Sequence, residues 1–203
     1  MRALMVDSFD SFTYNLVGYL RRSGWSVETV RNDLWREDDF DLLVLSPGPG
    51  RPSEAGWLMR YIARYHACKP IFGVCLGHQA LNEFFGGTLK YVRPVHGKAR
   101  KVFHDAKGVF RDLPNPMLAG RYHSLAVETP APSMQVTARC ADGTVMGLRH
   151  RFLPIESVQF HPESILTPHG LRLIENLARL LRKTAIEHAP QNSATTQNIG
   201  LDV

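Results

Sequence analysis

Gly73-Val74-Cys75-Leu76-Gly77 follows the apolar pair Ile71-Phe72 and precedes a stretch from His78 with helical character. The order predicts a strand, a tight turn and a helix, with a thiol at the tip of the turn. Glycines two residues before and after the thiol let strand and helix approach, as in the thiol form of a nucleophile elbow. The alternative is that Cys75 is a small buried residue at a strand end. A candidate base elsewhere in the chain would favour the catalytic interpretation of Cys75 over the structural one.

The first half of the chain alternates strand and helix patterns. Short apolar runs predict strands at residues 3–6, 25–30, 41–45 and 71–74, and apolar residues at helical spacing predict helices at 12–20, 57–65 and 78–85. Such alternation favours a parallel sheet covered by helices on both faces.

The second half has a different pattern, with short strand candidates at residues 89–92, 101–103, 125–128, 135–138, 145–149 and 155–160. These predict a mixed or antiparallel extension of the same sheet, so the fold class is α/β with an open, largely parallel mixed sheet flanked by helices. Thr167 is a candidate cap for a last helix. We expect one domain over residues 1–183 and a disordered tail over 184–203.

Composition and charge restrict the partners and the location. The net charge is +5, but acidic residues are interspersed and no nucleic-acid-binding signature is present, so we expect no nucleic-acid partner. No apolar run is long enough to span a bilayer, and three cysteines without a paired spacing favour the reducing cytoplasm. The basic residues of segment 90–101 fit either the wet face of an edge strand or a docking surface.

His161 is the strongest candidate base for Cys75. It follows the strand-like residues 155–160, and Glu163 lies two positions on, where a carboxylate can orient the imidazole. Parallel strands end at one edge of the sheet, so Cys75 and His161 can meet there. The alternative for an isolated histidine and glutamate is a surface turn.

Ser46-Pro47-Gly48-Pro49-Gly50 follows the strand predicted at residues 41–45. The glycines between prolines make a stiff turn with exposed backbone N–H groups, suited to an oxyanion hole or to holding a polar substrate. The alternative is a rigid connection. No phosphate-binding glycine motif is present, so nucleotide binding is not expected.

A metal site could be assembled from His66, Cys68, Cys75 and His78. Because no tight paired spacing brings two chelating loops together, we expect no metal.

Three ordered motifs together resemble class I, or triad-type, glutamine amidotransferases. They are Gly73-Val74-Cys75-Leu76-Gly77-His78-Gln79, Ser46-Pro47-Gly48-Pro49-Gly50 and Gln159-Phe160-His161-Pro162-Glu163. Residues 6–15, 96–98, 121–125 and 162–166 are further similar to the glutaminase components of anthranilate synthase and 4-amino-4-deoxychorismate (para-aminobenzoate) synthase. The resemblance covers residues 2–182 and implies a flavodoxin-like three-layer fold.

The resemblance implies a role for each matched residue. Cys75 would attack the side-chain amide of L-glutamine, His161 would move the protons, and Glu163 would orient His161. The loop of Gly48, Pro49 and Gly50 and the backbone N–H of Leu76 would stabilise the oxyanion. Glutamine itself would be held by Gln79, Ser124 and Leu125.

The resemblance also implies a partner: a large chorismate-binding synthase subunit that receives ammonia and makes anthranilate or 4-amino-4-deoxychorismate. No cofactor is expected in this chain, and any Mg²⁺ would belong to the partner subunit. Residues 8–14, the Gly48 loop and the segment around His96-Gly97-Lys98 are candidates for the docking surface. Two rival interpretations remain: a cysteine hydrolase that acts alone, and a non-catalytic regulator of the same fold.

Overall fold

The computed structural model describes residues 1–94 and 97–187, with side chains up to 182. The first half contains β1 (Arg2–Asp7), α1 (Thr13–Arg22), β2 (Ser26–Arg31), β3 (Leu42–Leu45), α2 (Leu58–Tyr65), β4 (Ile71–Val74) and α3 (Leu76–Phe84). The second half contains β5 (Thr88–Tyr91), β6 (Lys98–His104), β7 (Met117–Arg121), β8 (Leu125–Thr129), β9 (Met134–Cys140), β10 (Val145–His150), β11 (Ile155–Val158) and α4 (Gly170–Glu187).

The main sheet has nine strands in the order β2-β1-β3-β4-β11-β10-β9-β6-β7. The five strands from β2 to β11 are parallel, and the pairs from β11 to β7 are antiparallel. Strands β5 and β8 form a separate two-stranded antiparallel sheet. The predicted parallel half and its antiparallel extension are therefore confirmed, but β5 and β8, which were expected in that extension, pair only with each other.

Alternation along the central strands divides the core into two layers. In β1, Ala3 and Met5 pack with residues of α1 and α4, whereas Leu4 and Val6 pack with residues of α2 and α3. The same alternation holds in β3. A strand with both faces buried reads as a continuous apolar run, which is why these strands were visible in the sequence.

Some elements differ from the sequence-based expectation. Strand β7 was not predicted, because its edge position and glycine give it a weak strand pattern. Thr167 does not cap the last helix, because its hydroxyl donates to the carbonyl of His161 and accepts from the N–H of Gly120. Helix α4 begins at Gly170 and continues to Glu187, so four residues assigned to the tail are helical. Residues 188–203 lie outside the described residues, and disorder there stays a prediction.

Part of the basic segment lies in β6, which is an internal strand of the sheet and not the edge strand of one of the two interpretations. Lys98 lies in β6, which pairs with β7 on one side and, through Val102–His104, with β9 on the other. His96 lies outside the described residues. Lys98 is exposed and the neighbouring basic residues of β6 reach the surface, so the docking interpretation stays open.

Gly77 in α3 allows this helix to pack against β3. A Cβ at Gly77 would lie 2.5 Å from the carbonyl oxygen of Leu45 and 2.6 Å from its Cβ. We expect Gly77→Ala to lower the free energy of unfolding by about 1–3 kcal/mol, because the backbone of a buried strand cannot give way cheaply. Urea unfolding measures this.

The matched control is Gly18→Ala, which also replaces a glycine in a helix. A Cβ at Gly18 in α1 meets nothing within 4 Å. This change should therefore stabilise the protein by about 0.5–1 kcal/mol through helix propensity. Equal effects at both positions would contradict the close packing of α3 on β3.

Candidate active site

Cys75 occupies the turn between β4 and α3 in a conformation that costs energy. Its φ of 52° and ψ of −100° lie outside the regions usual for a residue with a side chain, and such strain costs about 1–3 kcal/mol. Its backbone N–H donates to the carbonyl of Val158 at 2.9 Å, which ties the turn to β11. The predicted elbow is present, with the thiol at the carboxyl end of a central parallel strand.

The glycines of the elbow are sterically required. A Cβ at Gly73 would lie 2.7 Å from the backbone of Gly77 and 2.8 Å from Cδ1 of Leu81. Gly73 and Gly77 thus let the end of β4 and the first turn of α3 approach each other. The role predicted for these two glycines agrees with the geometry.

His161 lies just past β11, the parallel neighbour of β4. Its Nδ1 is 2.7 Å from Oε1 of Glu163, and both side chains are buried. Its backbone N–H donates to the carbonyl of Gly120 at 3.1 Å, while its carbonyl accepts from Thr167 at 2.6 Å. The imidazole and its loop are therefore fixed from both sides.

Two aromatic rings pack against the His161 ring. The centroid of Phe12 lies 5.5 Å from that of His161, and the centroid of Tyr122 lies 5.0 Å from it, both in edge-on arrangements. The hydroxyl of Tyr122 is 2.9 Å from that of Ser164. These contacts limit rotation of the imidazole and shield it from water.

The electrostatics favour a charged imidazole. Burial opposes the charge, but the hydrogen bond and negative charge of Cys75, followed by those of Glu163, raise the pKa of His161 to about 11. Nε2 of His161 is buried and has no hydrogen-bond partner among the described residues, so it is available to the Cys75 thiol, which contributes to the raised pKa. The raised pKa favours an imidazolium at His161, with the Cys75 sulfur and the Glu163 carboxylate as its two side-chain partners.

The Gly48 loop lies against both the elbow and the loop after β1. A Cβ at Gly48 would be 2.5 Å from the Cβ of Ser8 and 2.8 Å from Cδ2 of Leu76. The hydroxyl of Ser46 accepts from the N–H of Ser8 at 2.8 Å and donates to the carbonyl of Pro47 at 2.6 Å. Gly48 and Leu76, two of the predicted oxyanion residues, are therefore neighbours, with Pro49 and Gly50 exposed at the rim.

The residues expected to hold glutamine divide into two groups. The side-chain amide of buried Gln79 donates to the carbonyl of Leu125 at 2.9 Å, so these two residues lie together. Ser124 is exposed, and its carbonyl accepts from the N–H of Val92 at 2.9 Å. The structure therefore places Ser124 at the protein surface and not in the buried pair of Gln79 and Leu125.

The metal interpretation has no support in the described part of the chain, where no group of three histidine, cysteine or acidic residues could hold an ion. Cys68 is exposed after α2, whereas Cys75 is buried. His78 is fully buried and pairs with Ser157 at 2.9 Å. The described helices also include none with the length and hydropathy to cross a bilayer.

Three residues that contact the triad were not predicted from the sequence. Phe12 and Tyr122 pack on His161, and Gln159 donates to the sulfur of Cys75 at 3.7 Å. The signal for Gln159 was its position one residue beyond a strand paired with β4. Phe12 and Tyr122 lie in two segments that carry the resemblance, but their contacts with His161 were not predicted, because they join distant parts of the chain.

A strained thiol at the end of a parallel strand, beside a buried histidine and glutamate, defines the class of the protein: an α/β protein with a cysteine-based triad for acyl transfer. Residues 4–180 match the glutamine amidotransferase class-I family, and the chain belongs to that family.

Known proteins show the same relationship at the level of sequence and fold. The chain is 46% identical over 191 residues to the aminodeoxychorismate/anthranilate synthase component 2 of Bacillus subtilis, covering 90% of this chain and 98% of that one. It is also 46% identical over 193 residues to an aminodeoxychorismate synthase of Streptomyces griseus, covering 90% of this chain and 26% of that longer one. The solved structure of a GMP synthase component from Thermoplasma acidophilum superposes with a TM-score of 0.83 at 27% identity, covering 92% of this chain and 96% of the other.

Proposed function

We propose that this chain is the glutaminase component of a chorismate-aminating synthase: it hydrolyses L-glutamine and delivers ammonia to a large subunit that makes anthranilate or 4-amino-4-deoxychorismate. The observation that carries the proposal is the Cys75–His161–Glu163 arrangement in a chain of this family. Two relatives that match along 90% and 89% of this chain are named as component 2 of aminodeoxychorismate/anthranilate synthase and of anthranilate synthase.

The first half-reaction uses the thiolate–imidazolium pair. The Cys75 thiolate attacks the carboxamide carbon of glutamine, and the negative charge that develops on oxygen is stabilised by N–H groups of Leu76 and the Gly48 loop. His161 donates its proton to the leaving nitrogen, so ammonia departs and a γ-glutamyl thioester remains. Glu163 keeps the imidazole oriented throughout.

The second half-reaction restores the enzyme. Neutral His161 takes a proton from water, the resulting hydroxide attacks the thioester, and glutamate leaves as the Cys75 thiolate is regenerated. The sum is glutamine plus water giving glutamate plus ammonia. This chemistry needs no cofactor in the chain.

The three free cysteines support a cytoplasmic location, because thiols stay reduced in that compartment.

An apolar surface beside the triad is our candidate for the docking site of the large subunit. Phe9 is 50% exposed, Tyr14 69% and Ile165 93%. They flank Phe12 and Ser164, both within the contacts around His161 described above. Large apolar side chains exposed around a catalytic mouth are typical of a protein interface, and a closed interface would keep ammonia from solvent.

A basic groove beside β5 and β6 is a second candidate part of the docking surface. Its cavity of about 900 Å³ is lined by two acidic residues, Glu128 and Asp142, and by six cationic residues: Lys90, Arg93, Lys98, Arg100, Arg121 and Arg139. An acidic surface on the partner would complement it. This supports the basic segment as part of the docking surface.

Reconstitution tests the proposal. Mixing this chain with each candidate large subunit, glutamine and chorismate should yield one aromatic product, identified by chromatography and mass spectrometry, with faster glutamine hydrolysis in the complex. Full hydrolysis without a partner and no aromatic product would favour a hydrolase that acts alone. Formation of a complex without glutamine hydrolysis would favour a non-catalytic regulator.

A further inference from the structure

Gln159 is a fully buried side chain beside the nucleophile that the mechanism above does not use. In the parallel pairing of β11 with β4, Ser157 is opposite Gly73 and Val158 is opposite Val74. One further step places Gln159 beside Cys75. Its side-chain amide nitrogen is 3.7 Å from the sulfur, within hydrogen-bond range for this larger atom.

The side chain of Gln159 faces helix α3. Gln159 follows directly after β11, and alternation along the extended chain puts its side chain on the same face as that of Ser157. Ser157 pairs with His78, and Gln159 pairs with Gln79 at 3.1 Å, so two consecutive residues of α3 each bind one residue of the strand. Gln159 is thereby held on the same helix whose first turn carries the elbow.

Hydrogen bonding fixes which end of the Gln159 amide faces the sulfur. Amide oxygen and nitrogen are assigned from the network around them. The carbonyl of Leu125 can only accept, so the group of Gln79 at 2.9 Å from it is the NH₂. The same NH₂ donates to Gln159 at 3.1 Å, which must present its oxygen there. The NH₂ of Gln159 therefore points at Cys75.

The carbonyl of Leu125, which accepts the first of these hydrogen bonds, is itself held by buried groups. The Leu125 carbonyl also accepts from Nδ1 of His123 at 2.9 Å, so the other ring nitrogen is free to accept from Nε of Arg121 at 3.1 Å. Arg121 is held by Asp142 at 3.0 Å. Burial first, and then the charge of Arg121, lower the pKa of His123 to about 4, which agrees with a neutral ring.

We propose that Gln159 is a positioning residue for the nucleophile: its NH₂ donates to the Cys75 sulfur, stabilises the thiolate and holds it in the direction of attack. In this role Gln159 differs from His161, which lies two residues further along the chain and acts on the thiol through its imidazole. A test by glutaminase activity rests on the proposed function, whereas the test by alkylation of Cys75 below does not.

The test measures alkylation of Cys75 by iodoacetamide, with peptide mass spectrometry, in a Cys68→Ser background that removes the exposed thiol. In Gln159→Met, which keeps size but has no NH₂, we expect alkylation near pH 7 to slow about tenfold, because a hydrogen bond to a charged group is lost. In Gln159→Glu, which adds a negative charge, it should slow further. The deficit should shrink near pH 10, where the thiol ionises without help.

The matched control is Asn176→Leu, which also removes a buried amide. Asn176 in α4 donates to the carbonyls of Val109 at 3.1 Å and Arg111 at 2.6 Å, outside the triad. Its loss should lower stability and leave alkylation of Cys75 unchanged.

With glutamine as substrate, Gln159→Met should lower kcat about tenfold with little change in KM.

Two results would overturn the proposal. One is alkylation at the wild-type rate in a folded Gln159→Met protein, or in Gln159→Glu if the first variant does not fold. The other is a deficit of equal size at every pH, which a merely structural role would produce. Slower alkylation in a protein without glutaminase activity would support Gln159 and contradict the proposed function, so the two claims fail separately.

Discussion

Substitution of Cys75 by serine is expected to lower the rate of glutamine hydrolysis by about 10⁴-fold or more. A serine hydroxyl stays protonated at neutral pH, so it forms no ion pair with His161, and the carboxamide is too weak an electrophile for it. The strained elbow accepts the substitution because serine has nearly the same size as cysteine. Ammonia release from glutamine measures the loss.

Two controls separate lost chemistry from lost structure. Cys68→Ser changes an exposed thiol beyond α2 and should leave hydrolysis unchanged. A complex of Cys75→Ser with the large subunit should still make aromatic product when ammonium salt replaces glutamine, since the proposed function assigns amination to the partner. Glutamine-dependent product at the wild-type rate from Cys75→Ser would remove Cys75 from the mechanism.

Substitution of His161 by glutamine is expected to lower glutamine hydrolysis by about 10²- to 10⁴-fold, the usual range for a general acid–base group. The variant loses both the cation that stabilises the thiolate and the proton given to the leaving nitrogen. Because the pKa of wild-type His161 is raised to about 11, the imidazole is charged at neutral pH and loses its proton only as the pH rises through that value. Alkylation of Cys75 near pH 7 should therefore also slow in His161→Gln.

The matched control is His150→Gln, which removes another buried histidine. His150 is 8% exposed, and its Nδ1 accepts from the N–H groups of Phe152 and Leu153 at 3.1 and 2.9 Å, where it stabilises a turn after β10. We expect lower stability and unchanged hydrolysis. A His161→Gln protein that is only as impaired as this control would rule out His161 as the base.

The parallel half of the fold was predictable because its strands are buried on both faces. Leu42, Leu43, Val44 and Leu45 form an unbroken apolar run, and the glycines around Cys75 are required by contacts no larger side chain permits. The edge strand β7 gave no such signal. Its residues alternate poorly, and its pairing with β6 depends on contacts between distant residues.

The site was predictable where it depends on residues close in sequence. Cys75 between glycines, and His161 two residues before Glu163, are local patterns. Gln159, Phe12 and Tyr122 reach the same site through strand register and ring packing, which one sequence does not display. Thr167 shows the opposite error, since a typical capping residue is used to hold the His161 loop.

The central claim is that Cys75 becomes acylated by glutamine, and rapid acid quenching during turnover followed by peptide mass spectrometry measures this directly. We expect a γ-glutamyl group on the peptide that contains Cys75 in the wild-type protein and none on that peptide in Cys75→Ser. Ammonia release with no γ-glutamyl group on Cys75, or with the group on Cys68 or Cys140, would contradict the claim.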